Sequence, residues 1–95
     1  MNKIMRFAKK LLGVYELDIE YWVSLREIKI QPNFKHSLIG KEKYKRKWRF
    51  YCRNGYCESP ILLTRDWVLV DGYSSYVIYK IAEGKDAKVP VYFVD

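Results

Sequence analysis

Asp71, Gly72, Ser74 and Ser75 stand where an apolar run, Trp67 to Val70, gives way to a helix-like segment. A strand-to-helix corner leaves backbone N–H groups unpaired and aims a helix dipole outward, so it favours phosphate or carboxylate. Gly72 allows close backbone approach, and the two serines offer hydroxyl donors. A plainer reading has Asp71 and Ser74 capping the helix while Gly72 makes the turn. Nucleophilic catalysis finds less support. Pairing Ser74 or Ser75 with His36 lacks a positioned acid, and Gly72-Tyr73-Ser74-Ser75-Tyr76 is not Gly-x-Ser-x-Gly. No phosphate-cradling glycine loop occurs elsewhere. Cys52 and Cys57, spaced C-x4-C, have no second ligand pair for zinc and are too few for a disulfide framework. Asp71 with Glu58 or Asp66 offers two carboxylates for a metal, too few to assign a site. No catalytic residue, metal site or cofactor is therefore assigned, and a nucleotide at the corner is kept as an alternative.

The second feature is a block of cations. Between residues 35 and 53, eight bases (Lys35, Lys41, Lys43, Lys45, Arg46, Lys47, Arg49 and Arg53) meet one acid, Glu42, while the other ten bases of the chain match ten acids. The whole net charge of +7 is thus local, which points to an anionic partner rather than a generally basic surface. At about 100° per residue, Tyr44, Trp48, Tyr51 and Cys52 fall on one stripe of a helix over 41–54, expected to face the core, with Gly55 closing it. Lys43, Lys45, Arg46, Lys47, Arg49 and Arg53 lie opposite, with Phe50 among them. Cations on phosphates and a ring against bases are a nucleic-acid-binding arrangement. The bland counterpart is a solvated helix face.

The elements that position these groups follow from periodicity. Ile4, Phe7, Ala8, Leu11 and Leu12 form the stripe of an N-terminal amphipathic helix, read as a packing or homodimer contact rather than a membrane anchor. Apolar residues at every odd position from Tyr15 to Leu25 predict a strand, with a bend or hairpin allowed near Trp22, and Ile28 and Ile30 extend it to Pro32. "PILLT" and "WVLV" flank Arg65-Asp66 as a hairpin, Tyr73–Ala82 reads as a helix buried on more than one side, and "VPVYFV" is a last strand. The result is one α/β domain of the α+β type: a small mixed sheet with helices and an extra N-terminal helix.

The run "PILLTRDWVLVDGYSSYVIYKIAEGKDAKVPVYFV" (60–94), with "LREIKI" and "YCRNG" upstream, resembles a ParB N-terminal-like domain of the ParB/sulfiredoxin-like superfamily over about residues 23–94. The resemblance makes 1–22 an N-terminal elaboration and 23–95 the domain. It implies a nucleotide or phosphorylated ligand at the start of the helix after Asp71-Gly72. The reactive motif departs from the family. A sulfiredoxin-type corner carries Gly-Cys-His-Arg-Tyr and a partition-protein corner Gly-Glu-Arg-Arg, whereas this chain has Gly72-Tyr73-Ser74-Ser75-Tyr76. Without the thiol or the clamping arginines, neither sulfiredoxin activity nor CTP hydrolysis is expected. The resemblance also suggests a plasmid, phage or other mobile-element origin.

Composition fits this picture. With 49% hydrophobic and 17% aromatic residues the chain can build one core, and no apolar run reaches the length of about 18 residues that a membrane span needs. A reduced, cytoplasmic protein is expected. The sequence favours a non-enzymatic DNA-binding or polyanion-binding module; the alternative is a degenerate nucleotide-binding or nuclease domain.

Overall fold

The computed structural model describes residues 16–35 and 40–94. The expected helix over 3–12 and His36 lie outside them. The expectation of an α+β fold with a small mixed sheet holds. Strands β1 (Tyr21–Ser24), β2 (Ile61–Leu63), β3 (Leu69–Asp71) and β4 (Lys88–Phe93) form one sheet in the order β1-β4-β2-β3. β4 runs antiparallel to β1 and parallel to β2, which is antiparallel to β3. Helices α1 (Pro32–Lys35), α2 (Lys41–Asn54) and α3 (Tyr73–Glu83) complete the described elements.

Side-chain alternation builds the core. Register pairs Tyr21 with Val91 and Val23 with Val89 on one side, and Ile61 with Val91 and Leu63 with Phe93 on the other. All seven of these residues are buried, so the pleat lays apolar rows across three strands. The Tyr21 and Phe93 rings meet edge to face at 5.4 Å. Leu25, Ile28, Leu69 and Ile78 fill the same cluster.

One short segment serves both edges of the sheet. After β1, a 3-10 turn at Leu25–Glu27 is tied to the strand β4 lead-in by the Leu25 N–H donating to the Ala87 carbonyl at 3.0 Å. Four residues later Lys29 bonds beside β3: its N–H donates to the Trp67 carbonyl at 2.8 Å, and its carbonyl accepts from the Leu69 N–H at 2.9 Å. The start of the otherwise open β3 edge is thereby covered.

Several expectations are refined. Of the strand expected from Tyr15 to Leu25, the described residues 16–25 are in the sheet at Tyr21–Ser24, because Asp18 turns the chain with φ +60°. Tyr21 is core, so the sheet includes residues on both sides of the expected division after residue 22. Pro32 ends the extended segment and also opens α1, where its fixed φ and missing N–H suit a first helical position. The hairpin forms around three loop residues: the Trp67 N–H donates to the Thr64 carbonyl at 2.9 Å and Trp67 itself takes φ +69°. That conformation usually selects glycine. Here the indole packs on Phe93 at 5.7 Å, which offsets the strain. In α3, Ser74, Ser75, Ile78 and Tyr79 are buried but Ile81 is 65% exposed, so this helix does not bury all its apolar residues.

Candidate nucleic-acid interface

Aromatic packing fixes the orientation of α2. Tyr44 and Trp48 meet edge to face at 6.1 Å, Trp48 and Tyr51 at 6.0 Å, and Tyr51 meets Tyr79 of α3 at 5.8 Å. The Tyr51 hydroxyl donates to a Glu83 carboxylate oxygen at 2.6 Å, and this bond pushes its phenol up to about 12. Gly55, with φ +80°, ends the helix and donates its N–H to the Tyr51 carbonyl at 2.8 Å.

The buried face keeps Tyr44, Trp48 and Tyr51 of the expected stripe and differs at its edges. Cys52, expected in the core stripe, is exposed, and Lys47, expected among the outward cations, is only 6% exposed. The buried arc is therefore turned by about 40° from the one expected, at 100° per residue. Lys47 reaches inward to donate a hydrogen bond to the Ser59 hydroxyl. The Ser59 carbonyl accepts from the Ser75 hydroxyl at 2.6 Å. Lys47, Ser59 and Ser75 thus join α2, the loop before β2, and α3 in one polar chain. Nothing in the sequence singled out Ser59. The cue available was a lysine three residues from both Tyr44 and the Phe50 position, whose long stem can lie along apolar neighbours while its head seeks a hydroxyl.

The outward face keeps five of the six expected cations: Lys43, Lys45, Arg46, Arg49 and Arg53 are all exposed. Arg46, Arg49 and Arg53, at i, i+3 and i+7, line an open hollow of about 410 Å³ with Phe50 and Glu58. Phe50 is half-buried, its ring held edge to face by Tyr56 at 5.6 Å. It forms a fixed wall of the hollow. Among the described residues, none of the three arginines is ion-paired, Glu58 included.

The strand-to-helix corner is built differently from its expectation. Gly72 has φ +87°, and a Cβ there would stand 2.3 Å from the Pro60 carbonyl oxygen and 2.8 Å from the Ile61 Cα. The missing side chain makes room for the lead into β2. Asp71 accepts a hydrogen bond from the Gly72 N–H at 2.8 Å, placing a carboxylate at the mouth of the corner, and no side chain caps α3. Ser74 and Ser75 are buried, and the Ser75 hydroxyl is committed to Ser59. The expectation that both serines offer hydroxyls to a ligand is corrected for Ser75 by that bond. Among the described residues, no three His, Cys, Asp or Glu side chains converge on a common point.

The cysteines are separate. Cys57 is buried, its N–H donating to the Tyr79 hydroxyl at 2.9 Å, while its thiol faces the Ser75 carbonyl at 3.8 Å. Burial pushes the Cys57 thiol up, with the Tyr79 and Ser75 bonds pulling the other way. Burial also pushes the Tyr79 phenol up to about 12. Neither group is primed for nucleophilic chemistry.

No protein-family model matches the chain, and no curated protein matches it. Solved structures do. A crystal form of a Pnob8-like ParB-N domain superposes with a TM-score of 0.61 at 25% identity, over 86% of this chain and 33% of that one. A pNOB8-like ParB N-domain gives 0.55 at 27% identity, over 86% of this chain and 30% of that one. This chain therefore spans about a third of the length of the solved chains it resembles.

Proposed function

We propose that this chain, which has the fold of a ParB N-domain, is a non-enzymatic module that binds DNA through the outward face of α2. The observation that carries the reading is the hollow in which Arg46, Arg49 and Arg53 stand unpaired beside Phe50. Guanidinium groups on successive turns match phosphates along a backbone, and the rigid ring adds apolar contact with sugar or base. Lys43 and Lys45 extend the same positive surface. Backbone contacts of this kind position a duplex without reading its sequence. An origin in a plasmid or other mobile element is part of the proposal and rests on the resemblance to partition proteins.

The test is a fluorescence titration of the full chain with a labelled duplex at several salt concentrations. Binding should weaken steeply with salt, and Arg46→Glu/Arg49→Glu/Arg53→Glu should lower both the affinity and the salt slope, by roughly one slope unit for each phosphate that is no longer neutralised. Equal affinity of the triple variant and the parent overturns the proposal.

The nucleotide alternative has less support. Two of its four residues turn their side chains into the protein, and the exposed Asp71 carboxylate stands against an incoming phosphate.

A further inference from the structure

We propose that a second cleft, which adjoins the arginine hollow and shares Glu58 with it, binds an extended peptide rich in proline and carrying arginine. The cleft, of about 530 Å³, lies between β1, the loop before β2, and β4. Trp22, Tyr56, Pro90 and Tyr92 form its apolar walls, with Trp22 50% and Tyr56 55% exposed. Trp22 and Pro90 are register partners on neighbouring strands, so the wall stands on the sheet. The Trp22 indole N–H donates to the Glu20 carboxylate at 2.9 Å, which holds the ring in place.

Charge chooses the occupant. In a chain of net charge +7, the charged side chains lining this cleft are two acids, Glu20 and Glu58. A cationic side chain meets both carboxylates there and lies against aromatic faces, where cation–π attraction adds to the ion pair. Exposed aromatic walls suit the flat faces of proline rings in a polyproline II segment, which keeps its conformation when it docks and loses little entropy. The volume lies within the range of small-ligand clefts. A nucleic acid fits poorly, because its phosphates would face the two carboxylates.

The probe is a synthetic peptide of about ten residues alternating proline and arginine, titrated into the full chain and followed by the Trp22 indole N–H resonance. A saturable shift is expected. Glu20→Gln/Glu58→Gln, which keeps the acceptor for the indole, should weaken binding by roughly tenfold or more with the melting temperature unchanged. A peptide alternating proline and glutamine should bind correspondingly weakly. Equal binding by the neutral peptide, or an unaltered affinity in the double variant, overturns the proposal. Displacement of the probe by a synthetic peptide of residues 1–15 also overturns it, since the cleft would then belong to the chain's own N-terminal segment.

Discussion

The ammonium group of Lys47 donates to the hydroxyl of Ser59 from a position 6% exposed, although five neighbouring cations on the same helix face water. The contacts of Tyr44, Trp48 and Tyr51 set the roll of α2, and Lys47 fits that roll by reaching the Ser59 hydroxyl while the three arginines stay at the surface. Lys47 is bound to a neutral partner, so its burial carries a desolvation cost that an isosteric apolar residue avoids. Lys47→Met should leave the melting temperature unchanged or raised and DNA affinity within about twofold of the parent, whereas Arg49→Met should weaken DNA binding by about tenfold, a loss of about 1.4 kcal/mol. Lys47→Glu, which buries an acid in the same place, should cost about 2–4 kcal/mol of stability. Thermal denaturation beside the duplex titration separates these outcomes. A Lys47→Met variant that loses affinity as Arg49→Met does would return Lys47 to the binding face.

Gly72 and Gly55 share a positive φ but not an environment. At Gly55 a Cβ meets nothing within 4 Å, so Gly55→Ala should cost only the conformational penalty of about 1 kcal/mol. At Gly72 the Pro60 carbonyl at 2.3 Å from the added Cβ must move as well, and Gly72→Ala should cost roughly 3 kcal/mol or more. In a domain of this size each kcal/mol lowers the melting temperature by about 4–8 °C. Similar melting temperatures for the two variants would mean that the Gly72 corner is not tightly packed against the lead into β2.

What the sequence made legible was local. The hairpin, α3, β4 and the limits of α2 at Lys41 and Gly55 follow from periodicity and from glycine at a helix end. Features set by distant residues were not legible. Nothing near Asp18 announces that the odd-even alternation of residues 15–25 breaks there, because pairing with β4 decides which part becomes strand. Trp67 sits in a glycine-like conformation for the sake of Phe93, twenty-six residues away. A helical wheel scores residue types, so it put Cys52 inside and Lys47 outside, and only the loop carrying Ser59 reverses that. The corner at 71–75 was located correctly by its residues, but the use of Gly72 for packing on Pro60 depends on an approach of backbone to backbone that is invisible at that spacing.

The two thiols should differ sharply in reactivity. Cys52 is exposed on α2 and Cys57 is buried with its thiol pushed up. A disulfide-exchange reagent at pH 8 should label one thiol promptly in the folded chain and the second only with unfolding. Cys52→Ser should abolish the fast phase. Rapid labelling of both thiols in the parent would contradict the burial of Cys57.

Alkaline pH should loosen the joint between α2 and α3. Tyr51 and Tyr79 both have phenols pushed from 10.0 up to about 12, the first by its bond to Glu83 and the second by burial. A group whose folded value is raised binds its proton more tightly in the folded state. Its stabilising contribution is complete below pH 10 and is lost as pH rises from about 10 to about 12. The melting temperature should therefore fall over that window, and part of the fall should disappear in Tyr51→Phe and in Tyr79→Phe. Every other contribution to the alkaline transition is common to parent and variants and cancels in the comparison. Tyr51→Phe removes a solvent-accessible bond and should cost only about 0.5–1 kcal/mol at pH 8. Tyr79→Phe also strips the acceptor from the Cys57 N–H and should cost about 1–3 kcal/mol. If both variants lose stability with pH as steeply as the parent, these two phenols do not carry the alkaline transition and the edge-to-face joint of Tyr51 with Tyr79 is not where the fold opens.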